Sequence, residues 1–203
     1  MSVRFVDELD GCIGWIERKK MQRTSHALAA DGKVWLFDPI DGDGVEERVR
    51  ALGEPAGVVT LLDRHGRDGE AWAARLGVPL LEVPDALPGT PFELLPVLDR
   101  KRWRERALWW PERRLLLCAD ALGTIPFFRA GDEPVGMHPL LRLVPPRSLR
   151  GLGAEHLLVG HGAGLHGRPD DVERAVRTAR RRLPRLLLGL PRALRGYGYG
   201  GYG

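Results

Sequence analysis

The 203-residue chain has only two cysteines, Cys12 and Cys118, far apart and without Cys-x-x-Cys spacing, so it has no disulfide framework and should fold without staples. Cys118 sits in the apolar run RLLLCAD, the setting of a small buried thiol. Long apolar runs are also missing. The opening MSVRFVDELDG has no hydrophobic stretch of the kind a secretory leader carries, and LPRLLLGLPRAL near the other end is broken by Pro184, Pro191 and arginines, too short and too interrupted for a spanning helix. These absences lead to the expectation of a reduced, cytoplasmic protein with no membrane span. No internal repeat stands out, although two β-rich halves, each closed by a helix, are compatible with a pseudo-symmetric sandwich.

What is there is a chain with 43% hydrophobic residues, enough to bury a sizeable core as one large domain or two small ones. The formal charge of +4 is unevenly spread. Residues 171–203 hold eight Arg against Asp171 and Glu173, a local +6 that leaves −2 for the remainder. The basic character therefore belongs to a C-terminal appendage rather than to the whole surface. The organisation expected is a domain over 1–187 and a basic, Gly/Tyr-rich tail over 188–203 ending in GYGYGGYG, a stretch with no means of building a core and expected to be mobile.

The pattern along the chain alternates strands and helices. GCIGWIER, SHALAA and KVWLFDP read as strands, the last two joined through the turn at Asp31–Lys33. DGVEERVRAL follows the cap-like Asp41 and Asp43 and has helical spacing, GVVTLLD is a buried-type strand, and DGEAWAARLG is a helix closed by Gly77. VPLLEVPD, FELLPVLD, RALWWPE and RRLLLCAD imply a second sheet, in which ALWW and RLLLC are hairpin partners. AEHLLVGHG is a further strand ending in a glycine-rich loop, and PDDVERAVRTARRRL is a helix with Asp170 and Asp171 at its positive end.

Taken in order, DGKVWLFDP, TLLDRHGRDGEA, LLCADALG and LLVGHG resemble the metallo-β-lactamase superfamily over roughly residues 23–185. The resemblance implies an α+β fold, a four-layer αββα sandwich of two mixed β-sheets. It also implies a metal site, with a Thr-His-x-His-x-Asp-His motif after a strand, a later His, then an Asp and finally Gly-His-Gly. Laying Asp68 on the Asp of that motif puts Arg64, Gly66 and Gly69 where three histidines would stand. Lys101 falls near the place of the fourth. Asp68, Asp120 and His161 remain.

Arg64 has no lone pair to give a metal, and its fixed charge would attract Asp68 and Asp120. The resulting expectation is a degenerate, metal-free site in which Arg64, with Arg67 or Lys101, replaces the charge of the ion and offers an anion-binding surface for a small anionic or phosphorylated ligand. The protein then acts by ligand or partner binding. One alternative is a mononuclear hydrolase holding Zn, Mn or Fe on Asp120 and His161 with Asp68 or His65, although His65 stands three residues before Asp68 instead of four and reads as a solvent-facing or loop-satisfying residue. Another is binding to nucleic acid or an anionic lipid surface through the Arg-rich C-terminal segment.

Three further features have ordinary structural readings. His26, His138, His156 and His166 are isolated in the sequence and read as capping, loop or core residues. Gly162, Gly164 and Gly167 spell a Gly-x-Gly-x-x-Gly, but only a terminal helix follows, without the acidic strand residue of a dinucleotide site. Trp103, Trp109, Trp110, Phe127 and Phe128 are expected mainly in core and edge packing, with a wall of a pocket near the metal-site positions as the alternative.

Overall fold

The computed structural model describes residues 1–194, so the expectation about GYGYGGYG lies outside the described residues. The elements in order are β1 (Val3–Leu9), β2 (Cys12–Glu17), β3 (Thr24–Ala30), β4 (Lys33–Phe37), α1 (Val45–Leu52), β5 (Glu54–Thr60), α2 (Gly69–Leu76), β6 (Leu80–Glu82), β7 (Glu93–Arg100), β8 (Trp103–Trp110), β9 (Leu115–Cys118), β10 (Leu122–Gly123), β11 (Gly136–Met137), β12 (His156–Val159), β13 (Leu165–His166) and α3 (Pro169–Leu194).

The first sheet runs β1-β2-β3-β4-β5-β6 and the second β13-β12-β9-β8-β7, with β10 and β11 as a separate ribbon. Both sheets are mixed: β1 to β4 meander antiparallel, while β4, β5 and β6 are parallel. Parallel neighbours need a crossover, and α1 and α2 provide the two crossovers here. In the second sheet β12 lies parallel to β9 and the other pairs are antiparallel.

Side-chain alternation along the strands explains the layering. Leu28, Phe37 and Val59 join Leu108, Leu117 and Leu157 in one buried cluster, which also takes in Val172, Ala175, Val176 and Ala179 of α3. Their neighbours Ala27, Leu36 and Val58 face the other way and pack with Val45, Val49 and Trp72 of α1 and α2. The chain is thus the expected αββα sandwich, with α1 and α2 outside the first sheet and α3 against the second.

Several local readings differ. Residues 3–9 form an edge strand that the sequence pattern does not announce, because Asp7 and Glu8 interrupt its alternation and its register shifts between Val6 and Leu9. The cap of α1 is not an aspartate: Gly44 stands there in the left-handed conformation, while Asp43 meets the N-terminal ammonium and Asp41 meets Arg75. The C-terminal helix passes through Pro184 and Pro191 to Leu194, across the division placed at 187/188.

Candidate metal centre

The site lies where three strands end. After β5 the chain crosses to the second sheet, where the Arg106 amide donates to the Leu61 carbonyl (2.8 Å) and the Asp63 amide to the Arg104 carbonyl (3.1 Å). That crossing delivers His65. Asp120 follows β9 and His161 follows β12, at the carboxyl ends of two parallel neighbours. Gly160 and Gly162 flank His161 because the backbone is crowded: an added Cβ would come within 2.4 Å of the Ala119 carbonyl oxygen at Gly160 and 2.1 Å of Thr124 Oγ1 at Gly162, whose φ is +96°. At both glycines the space of a side chain is taken by a neighbouring loop.

His65, Asp120 and His161 converge so that one donor atom from each falls within 4.8 Å of the others. Asp120 Oδ1 is 3.2 Å from His65 Nε2 and 3.3 Å from His161 Nε2. Neither contact has hydrogen-bond alignment, and among the described residues Oδ1 is buried without a hydrogen-bond partner. The opposite nitrogens are committed. His161 Nδ1 lies 2.7 Å from the Met21 carbonyl and His65 Nδ1 3.0 Å from Asp38 Oδ2. A carbonyl and a carboxylate only accept, so both Nδ1 atoms carry hydrogen, and in the neutral rings both Nε2 atoms keep a lone pair close to Asp120 Oδ1. Three electron-rich atoms then face one another. Two extra protons, or one cation, would relieve the repulsion. This donor set fits a single divalent ion, with Asp38 and Met21 orienting the imidazoles as partners of metal-bound histidines do.

The supporting residues are mostly buried. Burial opposes charge on His65, and Arg67 adds to that, yet Asp38 and Asp120 overcome both and raise its pKa above the ordinary value. Burial would raise the Asp120 carboxyl, but His161 and His65, when they carry a proton on the facing Nε2, hold it well below the usual range. Glu105 on β8 accepts from the amides of Asp120 (2.9 Å) and Ala121 (2.7 Å) and from Trp103 Nε1 (2.9 Å). Burial, with the Asp120 charge, still pushes it up to about 7. Phe128 stacks on His161, and His138 meets the edges or faces of Trp103, Phe127 and Phe128. Burial pushes His138 down to about 4.

Residues singled out from the sequence are distributed unevenly. Asp120 and His161 meet in the cluster. His65, expected to face solvent or satisfy its loop, is instead 7% exposed and supplies the third donor. It is held by its amide on the Leu62 carbonyl at 2.8 Å and by Asp38 on Nδ1. Asp68 does not join: its carboxylate accepts from the Asp41 amide at 2.7 Å, at the start of α2. Gly69 is buried in the first turn of α2, Gly66 is exposed, and Lys101 is exposed in the β7–β8 turn, with no ion pair to Asp120 among the described residues. Arg64 lies 4.4 Å over Trp103, its Nη2 3.5 Å from Asp120 Oδ2.

Arg67 is not free for an anion, because it donates to the carbonyls of Thr24 (2.6 Å), Asp38 (2.9 Å) and Gly160 (3.2 Å). Asp38 and Glu105 were not picked out as site residues. The signal for Asp38 was its place at the end of a strand, just before Pro39. Glu105, an acid in the otherwise apolar register of β8, was legible only as an oddity.

No protein-family model and no curated protein matches the chain. Solved structures do. The chain is similar to the DIM-1 metallo-β-lactamase exposed to ceftazidime, with TM-score 0.60 and 13% identity over 88% of this chain and 98% of that one. It is also similar to FIM-1 from Pseudomonas aeruginosa in its mono-zinc form, with TM-score 0.56 and 13% identity over 89% and 96%. A metallo-β-lactamase from Erythrobacter litoralis with β-mercaptoethanol in its active site aligns with TM-score 0.57 and 11% identity over 89% and 97%. At these identities the shared property is the fold.

Proposed function

We propose that this metallo-β-lactamase fold carries a mononuclear divalent-metal centre on His65 Nε2, Asp120 Oδ1 and His161 Nε2, and that the protein is a hydrolase acting on a small anionic substrate. The observation that carries the reading is the buried, unpartnered Asp120 Oδ1 facing two imidazole nitrogens whose other nitrogens are already spent. A divalent ion held there would supply Lewis acidity and draw a nucleophile from water near neutral pH.

The rest is done by the chain. Asp38 and the Met21 carbonyl keep the imidazoles in the tautomer that turns Nε2 inward. Glu105 clamps the two amides that set the direction of Asp120. Arg67 ties together the ends of the first sheet and the Gly160 loop, so the donors cannot drift apart. Phe128 and Trp103 keep water from one side, and neutral His138 adds no competing charge. Arg64 is the exposed cation beside Asp120, and its fork is suited to a carboxylate or phosphate on the substrate.

A second reading has the contact from Arg64 to Asp120 in its favour: a metal-free cleft in which that guanidinium replaces the ion and an anionic ligand is bound without reaction. The contact falls on Oδ2, however, and leaves Oδ1 without a partner. The test is zinc analysis of full-length protein purified without chelator, with turnover of chromogenic anionic esters. Wild type should retain zinc that His161→Ala loses, with hydrolysis falling at least about 100-fold. Equal zinc content in the two proteins, together with no turnover in either, would leave the metal-free reading standing.

A further inference from the structure

A second histidine cluster lies on the far edge of the sandwich, outside the centre already described. His156 and His166 are directly paired across β12 and β13, and their Nδ1 atoms are 3.3 Å apart. His166 Nε2 is 3.1 Å from Asp7 Oδ1. Asp7 is buried and doubly held, by the Gly164 amide at 2.8 Å on Oδ1 and by His26 Nε2 at 3.2 Å on Oδ2. It is also bent to φ 52° at the register shift of β1, a conformation that costs a non-glycine residue energy and persists only where its surroundings impose it.

The geometry points to a metal-binding site formed by His156 Nδ1 and His166 Nδ1, for a late first-row divalent ion such as Zn²⁺, Ni²⁺ or Cu²⁺. Two nitrogens each about 2.0–2.1 Å from a tetrahedral ion stand about 3.3 Å apart, the separation found. A carboxylate on the far nitrogen of one ring fixes its tautomer with Nδ1 unprotonated, and Asp7 occupies that position on His166. With His166 Nδ1 as the acceptor, the His156 Nδ1 hydrogen lies between the two rings, and an ion bound there would take its place while that ring carries its hydrogen on Nε2. His166 is partly exposed, so an ion can enter and keep water on its remaining positions. Glu155, the acid next to His156, is engaged with Arg114 at 2.5 Å, so the protein donors are imidazole alone, a preference for Zn²⁺, Ni²⁺ or Cu²⁺ over Mg²⁺ or Ca²⁺.

Zinc titration of metal-free, full-length protein tests the site together with ¹⁵N spectra of the histidine rings. Wild type should take one ion more than His156→Gln, and the Nδ1 resonances of His156 and His166 should move together. Asp7→Asn should weaken that ion about 10–100-fold. Since the spectra use the unaltered protein, a variant that fails to fold does not blunt the test. If the two Nδ1 resonances stay fixed while zinc binds elsewhere, or if His156→Gln takes as many ions as wild type, the site does not exist. Loss of the His65 centre would leave the result unchanged.

Discussion

Burial alone would drive His65 to its neutral form, and the two carboxylates facing it reverse that outcome. A histidine whose folded pKa lies above its unfolded value of about 6.5 contributes stability that is complete below that pH and is lost as pH rises through the folded pKa. Glu105, pushed up to about 7, has the same sign, because the folded state holds its proton more tightly between about 4.5 and 7. His138, pushed down to about 4, works the other way but only below about pH 6.5. The metal-free protein should therefore show a falling urea midpoint from pH 6.5 to pH 8, and His65→Gln should flatten the slope. Zinc at pH 8 should restore the midpoint. A metal-free midpoint that rises across this window would contradict the electrostatics assigned to the site. Arg67 belongs at this scale as well. Its two terminal nitrogens divide three carbonyls between them, a planar fork that a lysine does not reproduce, so Arg67→Lys should cost about 1–3 kcal/mol in urea unfolding.

The elements were legible where their punctuation was strong. The turn at Asp31–Lys33 does join β3 to β4, Gly77 does close α2 in the left-handed conformation, and the β8–β9 hairpin pairs as its apolar runs suggest. The site was less legible. Anchoring residues 60–71 on Asp68 moved His65 off the ligand positions, because spacing in sequence assumes one loop conformation. Here the crossing to β8 and the turn closed by the His65 amide on the Leu62 carbonyl bring His65 inward. Asp38 and Glu105 escaped notice for a related reason: each acts through a partner brought in from another element. Glu105→Gln would face an amide N–H toward the Trp103 N–H or the Asp120 and Ala121 amides. It should cost about 1–3 kcal/mol and weaken zinc binding, read by unfolding and by competition with a chromogenic chelator. Gly162→Ala should destabilise by at least about 1 kcal/mol, because φ is +96° and Thr124 Oγ1 occupies the space.

At the scale of the molecule, the sandwich is closed on its second face by α3, and one buried ion pair ties that helix to the ribbon. Arg142 is fully buried and pairs with Glu133 at 2.5 Å. It also donates to the carbonyls of Met137, Phe128 and Ala179, the last on α3. Arg142→Met would leave Glu133 with the longer contact from Arg182 Nε at 3.7 Å and should cost about 3–5 kcal/mol by denaturant unfolding, whereas replacing Arg182, partly exposed and also paired with Asp132, should cost under about 1 kcal/mol. The basic stretch of α3 was visible in the sequence as a charge excess. Its packing was visible in the helical spacing of Val172, Ala175, Val176 and Ala179, all of which are buried. The central claim concerns a single ion between the ends of β5, β9 and β12, and anomalous diffraction at the zinc edge from crystals of zinc-loaded full-length protein tests it most directly. The account predicts a peak about 2.0–2.1 Å from His65 Nε2 and His161 Nε2 and bound to Asp120; no peak there, with the Arg64 guanidinium turned onto both oxygens of Asp120, would contradict it.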